Sequence, residues 1–128
     1  MFANTKATNG FAVDEIDAAK RFYGEALGLG VTVLSEEHGV ASIQLAGGRD
    51  TLLYAKSDFV PATYTILNFE VDDIDAAVDE LAAKGIACER YEGFEQDEKG
   101  IARGPGPSIA WFKDPAGNIL SVLQQPAG

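Results

Sequence analysis

A chain of 128 residues forms one compact unit or two small halves sharing a core, and 46% apolar residues suffice to build that core. A formal net charge of −10 argues against nucleic-acid and anionic-membrane partners, because neither attracts an acidic surface. No apolar run approaches the ~20 residues of a membrane span, MFANTKATNG has no apolar signal core, and a single cysteine, Cys88, allows no internal disulfide, so a cytoplasmic location is expected.

The first predicted element lies in GFAVDEIDAA, from Gly10 to Ala19, and the phrase returns 58 residues later as NFEVDDIDAA, from Asn68 to Ala77. Seven of nine positions from Phe11 to Ala19 are identical to those from Phe69 to Ala77. Two copies are too few for a solenoid and point to a duplicated module. Each copy opens with alternating apolar positions (Phe11 and Val13; Phe69 and Val71), the period of a half-buried strand. The period then changes to that of a helix: Ile16, Ala19, Tyr23 and Leu27 in the first copy; Ile74, Ala77, Val78 and Leu81 in the second. Asp72 stands where a capping residue belongs and Asp75 where a first-turn acid belongs, while Gly28 and Gly85 stop the helices.

After the first helix, VTVLSEE (Val31–Glu37), GVASIQLA (Gly39–Ala46) and DTLLYAK (Asp50–Lys56) read as three strands. After the second, IACERYE (Ile86–Glu92), SIAWFKD (Ser108–Asp114) and NILSVLQQ (Asn118–Gln125) read the same way, and KDPAGN carries the turn chemistry of Asp114, Pro115 and Gly117. The expectation is an α+β chain of two βαβββ modules, residues 1–56 and 64–126, joined by a linker at 57–63. The second module alone carries a long Gly-rich insert, Gly93–Pro107, with Phe94 and Ile101 as apolar anchors; it reads as a surface loop or as a lid over a ligand.

FAVDEIDAAKRFYGEALGL, FEVDDIDAA and WFKDPAGNILSVLQ together resemble the vicinal oxygen chelate superfamily, which includes glyoxalase I, extradiol dioxygenases and bleomycin-resistance proteins. The resemblance implies that the sheets of the two modules curl into a cup, and that half-cups pair within one chain or across a homodimer. It also implies a divalent ion in the metal-dependent members, held by His or Glu on the first and last strands of each module. Carried onto this chain, the four ligand positions fall on Thr8, Leu53, Ile66 and Ser121. None of these is His, Asp or Glu, and Leu and Ile have no electron pair to give, so no metal and no other cofactor is expected.

Strand alternation places Tyr64, Ile66, Asn68 and Glu70 on the cup face with Ile119, Ser121, Leu123, Ile109 and Trp111, and Thr8, Ser42, Gln44 and Leu53 on the cup face of the first module. The ligand-binding candidates are Thr8, Gln44, Leu53, Tyr64, Ile66, Asn68, Phe94, Trp111 and Ser121: apolar walls with sparse hydroxyl and amide groups, the make-up of a small-molecule site. Trp111 and Tyr64 offer faces for stacking. His38, the sole histidine, falls in a turn, and Cys88 reads as a small buried hydrophobe. The expected function is metal-independent binding of a small, largely apolar or aromatic molecule. The alternatives are a metal-dependent lyase, isomerase or dioxygenase of the glyoxalase type, and a dimerising interaction module.

Overall fold

The structure is a computed structural model and describes residues 1–126. The chain divides into two compact units, Met1–Pro61 and the residues from Ala62 onward. In the first unit, β1 (Asn9–Val13), α1 (Ile16–Arg21), β2 (Gly30–Ser35), β3 (Val40–Leu45) and β4 (Arg49–Ala55) follow one another, and a π-helical turn, Phe22–Ala26, extends α1. The four strands form one sheet in the order β1-β4-β3-β2. The pair β1 and β4 is parallel; the other two pairs are antiparallel.

Phe11, Val13, Ala41, Ile43, Thr51 and Leu53 are buried on one face of this sheet, together with Ala19 and Tyr23 from the helical segment. Tyr23 is fully buried and meets Phe11 and Phe22 at ring-centroid distances of 5.7 and 5.2 Å. The opposite face carries Thr32, Ser42, Gln44, Leu52 and Tyr54, all half-buried or exposed.

The second unit contains β5 (Thr65–Glu70), α2 (Ile74–Ala83), β6 (Ser108–Lys113) and β7 (Ile119–Gln124), with the sheet order β5-β7-β6. Here β5 and β7 are parallel, and β6 is antiparallel to β7. Its core is Ile74, Val78 and Leu81 from α2, with Ala110, Phe112, Leu120 and Val122 from the sheet and Ile101 from the long loop. Asp73, rather than Asp72, caps α2: its Oδ1 accepts from Ala76 N–H at 3.1 Å, and Asp75 occupies the first turn.

The turn between β6 and β7 is built around the buried Asp114. Its Oδ1 accepts from the N–H groups of Ala116 (3.0 Å) and Asn118 (2.9 Å), and Asn118 Nδ2 donates to its Oδ2. Gly117 closes the turn at φ 95°, a conformation open to glycine.

The segment Ile86–Glu92 is not a strand as the alternation predicts; only Glu89 makes a bridge, to Trp111. The physical reason lies in the segment that follows. The chain from Glu89 to Ala102 turns back on itself and satisfies its backbone through Gln96 and Asp97 side chains instead of a ladder.

Register decides a second correction. Phe11 pairs with Leu53, and its repeat counterpart Phe69 pairs with Val122. Leu53 is therefore the counterpart of Val122 on the buried face, and Leu52 is the counterpart of Ser121 on the open face. The hairpins that precede the two last strands differ in length, which displaces a count made along the chain by one residue, and one residue reverses the face. Leu53→Ala accordingly destabilises the protein by about 2–5 kcal/mol, whereas Leu52→Ala, at a site 39% exposed, changes stability by less than about 1 kcal/mol. Urea titration of the two variants checks both values.

Candidate functional site

The face of the second sheet opposite its helix-side core carries a transverse row of side chains fixed by strand pairing. Asn68 on β5 lies beside Ser121 on β7, Ser121 beside Trp111 on β6, and Trp111 beside Glu89 through the isolated bridge. Residues that pair directly project to the same side of a sheet and lie within reach of one another. Ser121 is buried, and its hydroxyl donates a short hydrogen bond to Asn68 Oδ1. Trp111 is buried, and two rings from the chain between α2 and β6 flank it. Tyr91 stands edge-on at 5.5 Å and 79°, and Phe94 lies tilted at 4.9 Å and 58°. Such edge and tilted arrangements suit the charge distribution of aromatic rings. The Phe94 ring remains 55% exposed. Glu89 accepts an ion pair from Lys113 at 3.5 Å.

Four of the expected site residues thus come together: Asn68, Ser121, Trp111 and Phe94. Tyr64 precedes β5 and is exposed. Ile66 falls in the register shift between Thr65 and Leu67, so the alternation assumed for β5 holds only from Leu67 onward. In the first unit, Thr8 is exposed and ends one residue before β1, and Gln44 is exposed on the open face. Leu53 is on the opposite face, fully buried. His38 is exposed in the turn between β2 and β3.

Tyr91 and Glu89 were not among the sequence candidates, because both sat in a segment read as an ordinary strand. Tyr91 Oη is buried and has no hydrogen-bond partner among the described residues. Burial, reinforced by the Glu89 carboxylate, pushes the Tyr91 phenol up from its usual pKa, so it stays protonated at neutral pH. Burial likewise pushes the Cys88 thiol up from its usual pKa. Cys88 packs against Gly100, where an added Cβ would approach its own Cβ to 2.8 Å.

The long loop is held in place rather than free. Gln96 alone serves three backbone groups: its Nε2 donates to the carbonyls of Glu89 (2.9 Å) and Gly100 (2.8 Å), and its Oε1 accepts from Tyr91 N–H (2.9 Å). Asp97 accepts from the N–H groups of Lys99 and Ile101, both at 2.9 Å, and from Arg103 Nε at 3.1 Å. Arg103 and Lys99 in turn reach Asp75 and Asp79 on α2, at 2.8 and 3.0 Å. Ile101 is buried in the unit's core. The loop is thus tied at both ends of its turn, and Tyr91 and Phe94 are set against Trp111.

The residues at the four carried-over positions do not fit a divalent ion. Thr8, Leu53 and Ile66 offer one hydroxyl among them, and the Ser121 hydroxyl is already engaged with Asn68. Leu52, the true counterpart of Ser121, adds no donor. Among the described residues, no three His, Cys, Asp or Glu side chains are grouped to hold a metal ion.

The family model for the Glyoxalase/Bleomycin resistance protein/Dioxygenase superfamily matches residues 7–122, and the chain belongs to that superfamily. Solved structures share the fold. A glyoxalase family protein from Bacillus anthracis is 22% identical, with 98% of this chain and 100% of that one covered and a TM-score of 0.70. TnmS3, an antibiotic binding protein from Streptomyces sp. CB03234, is 25% identical, with 96% and 98% covered and a TM-score of 0.68. Lactoylglutathione lyase from Agrobacterium tumefaciens is 20% identical, with 95% of each chain covered and a TM-score of 0.64. No curated protein matches the sequence. No helix among the described residues is long and apolar enough to cross a membrane.

Burial alone would raise the Asp97 pKa, but the N–H of Ile101, the Arg103 guanidinium and the N–H of Lys99 together hold it below the usual carboxylate range. A depressed carboxylate pKa stabilises the fold above the unfolded value and loses that contribution as pH falls through the folded one. The loop therefore loosens below about pH 4, seen as a change in Trp111 emission. In Asp97→Asn this acid-side change is absent and the emission at neutral pH already resembles that of the acidified wild type.

Proposed function

We propose that this protein binds a small, largely apolar or aromatic molecule without a metal, on the face of its second sheet that carries Trp111, Ser121 and Asn68. The observation that carries the reading is Trp111, flanked by Tyr91 and Phe94 and followed along the row by Ser121 and Asn68. Stacking on an indole face, with a few polar groups to orient the ligand, is the usual composition of a small-molecule site. The donor set supports a metal-free mode, since the carried-over positions give leucine, isoleucine and hydroxyl side chains. TnmS3, described as antibiotic binding, lends the reading a precedent within the same fold. In this reading the ligand is held by sequestration rather than converted.

The chain has one tryptophan, so the indole N–H of Trp111 gives a single reporter resonance. Titration with naphthalene shifts it and flanking amides of β6 and β7. Trp111→Ala weakens binding, followed by the β7 amides, at least about tenfold. Zinc or manganese at millimolar concentration changes neither the affinity nor the unfolding temperature. Stoichiometric metal in protein purified without chelator, or an ion-induced rise in that temperature, overturns the metal-free reading.

A further inference from the structure

We infer that the Tyr91 hydroxyl is the donor kept for the ligand, and that the ligand is a planar aromatic compound with a neutral hydrogen-bond acceptor, such as a ring carbonyl, on its edge. This rests on the reading of the site given above and narrows its ligand class. A buried hydroxyl normally finds a partner, because leaving it unpaired costs a hydrogen bond that water would have made. Tyr91 Oη has none among the described residues, although the ring sits at 5.5 Å from Trp111 in the flanked site. A phenylalanine would pack there equally well without that penalty, so the hydroxyl has a use that folding alone does not supply.

The surroundings define what it binds. The phenol stays protonated, so it donates. Glu89, next to Trp111 across the bridge, disfavours an anionic acceptor at that position. Glu89 already has a cation in Lys113, so a cationic ligand gains little there. The Ser121 hydroxyl gives its proton to Asn68 and is not free to donate to a ligand at the same time. A neutral acceptor on a flat ring satisfies Tyr91 while its face lies on Trp111. Phe94, 55% exposed and tilted against Trp111 at 4.9 Å, is the side chain that a ring lying on Trp111 would meet.

The test compares Tyr91→Phe with wild type, using coumarin and naphthalene as probes of similar size that differ in the ring lactone. Binding is followed by the Trp111 indole resonance. Tyr91→Phe weakens coumarin about threefold to tenfold, leaves naphthalene unchanged, and raises the unfolding temperature because the unpaired hydroxyl is gone. Equal effects on both probes, no effect on either, or a lower unfolding temperature overturns the inference. If neither probe shifts Trp111 in the wild type, the small-molecule reading itself falls and this inference falls with it.

Discussion

The parallel pairing of the first and last strand in each unit is the constraint on which the remainder depends. In the first unit it sets Phe11 beside Leu53, and in the second Phe69 beside Val122. Side chains alternate strictly along a strand, so this one register sorts every residue of the sheet to the helix side or the open side. On the helix side it gathers Phe11, Val13 and Leu53 in one unit and Leu120 and Val122 in the other. On the open side it aligns Asn68, Ser121 and Trp111. A slip of one residue would bury Ser121 against α2 and turn Val122 outward, removing the core and the site together.

The two units carry different connections on a similar scaffold. The open face of the first presents Leu52 and Tyr54 around Ser42 and Gln44. In the second, the chain between α2 and β6 lengthens and supplies Tyr91 and Phe94 to Trp111. Lengthening a surface connection adds little closure entropy, while the ordering of its residues must be offset by new interactions. Gln96 and Asp97 provide these by taking over the backbone groups that a strand ladder would have satisfied, and Lys99 and Arg103 tie the loop to α2. The ion pairs with α2 are exposed and individually weak; the hydrogen bonds of Gln96 and Asp97 and the burial of Ile101 do most of the holding.

Register also separates the residues of the helix-side core from those of the opposite face. Positions on the open side of the first and last strands make no contribution to the helix-side core, so Ser121 and Leu52 can vary independently of Leu53 and Val122. On that opposite face Trp111 lies immediately beside Ser121 on the neighbouring strand.

Much of this was legible in the sequence. The doubled phrase gave the duplication, the change of period at Asp14 and Asp72 gave the strand-to-helix order, and Asp114, Pro115 and Gly117 gave the turn, because each depends on residues close together in the chain. Asn68, Ser121 and Trp111 could also be put on one face, since alternation within a regular strand needs no tertiary information. Tertiary structure alone decided that Leu52 and not Leu53 faces outward, that Ile66 sits in a register shift, and that Tyr91 lies against Trp111. The register of the first and last strands is a pairing between residues more than 40 positions apart, and the course of the loop follows from the particular backbone groups, two to seven residues away, that the Gln96 and Asp97 side chains capture. Neither leaves a period in the sequence, and both fix the chemistry of the face.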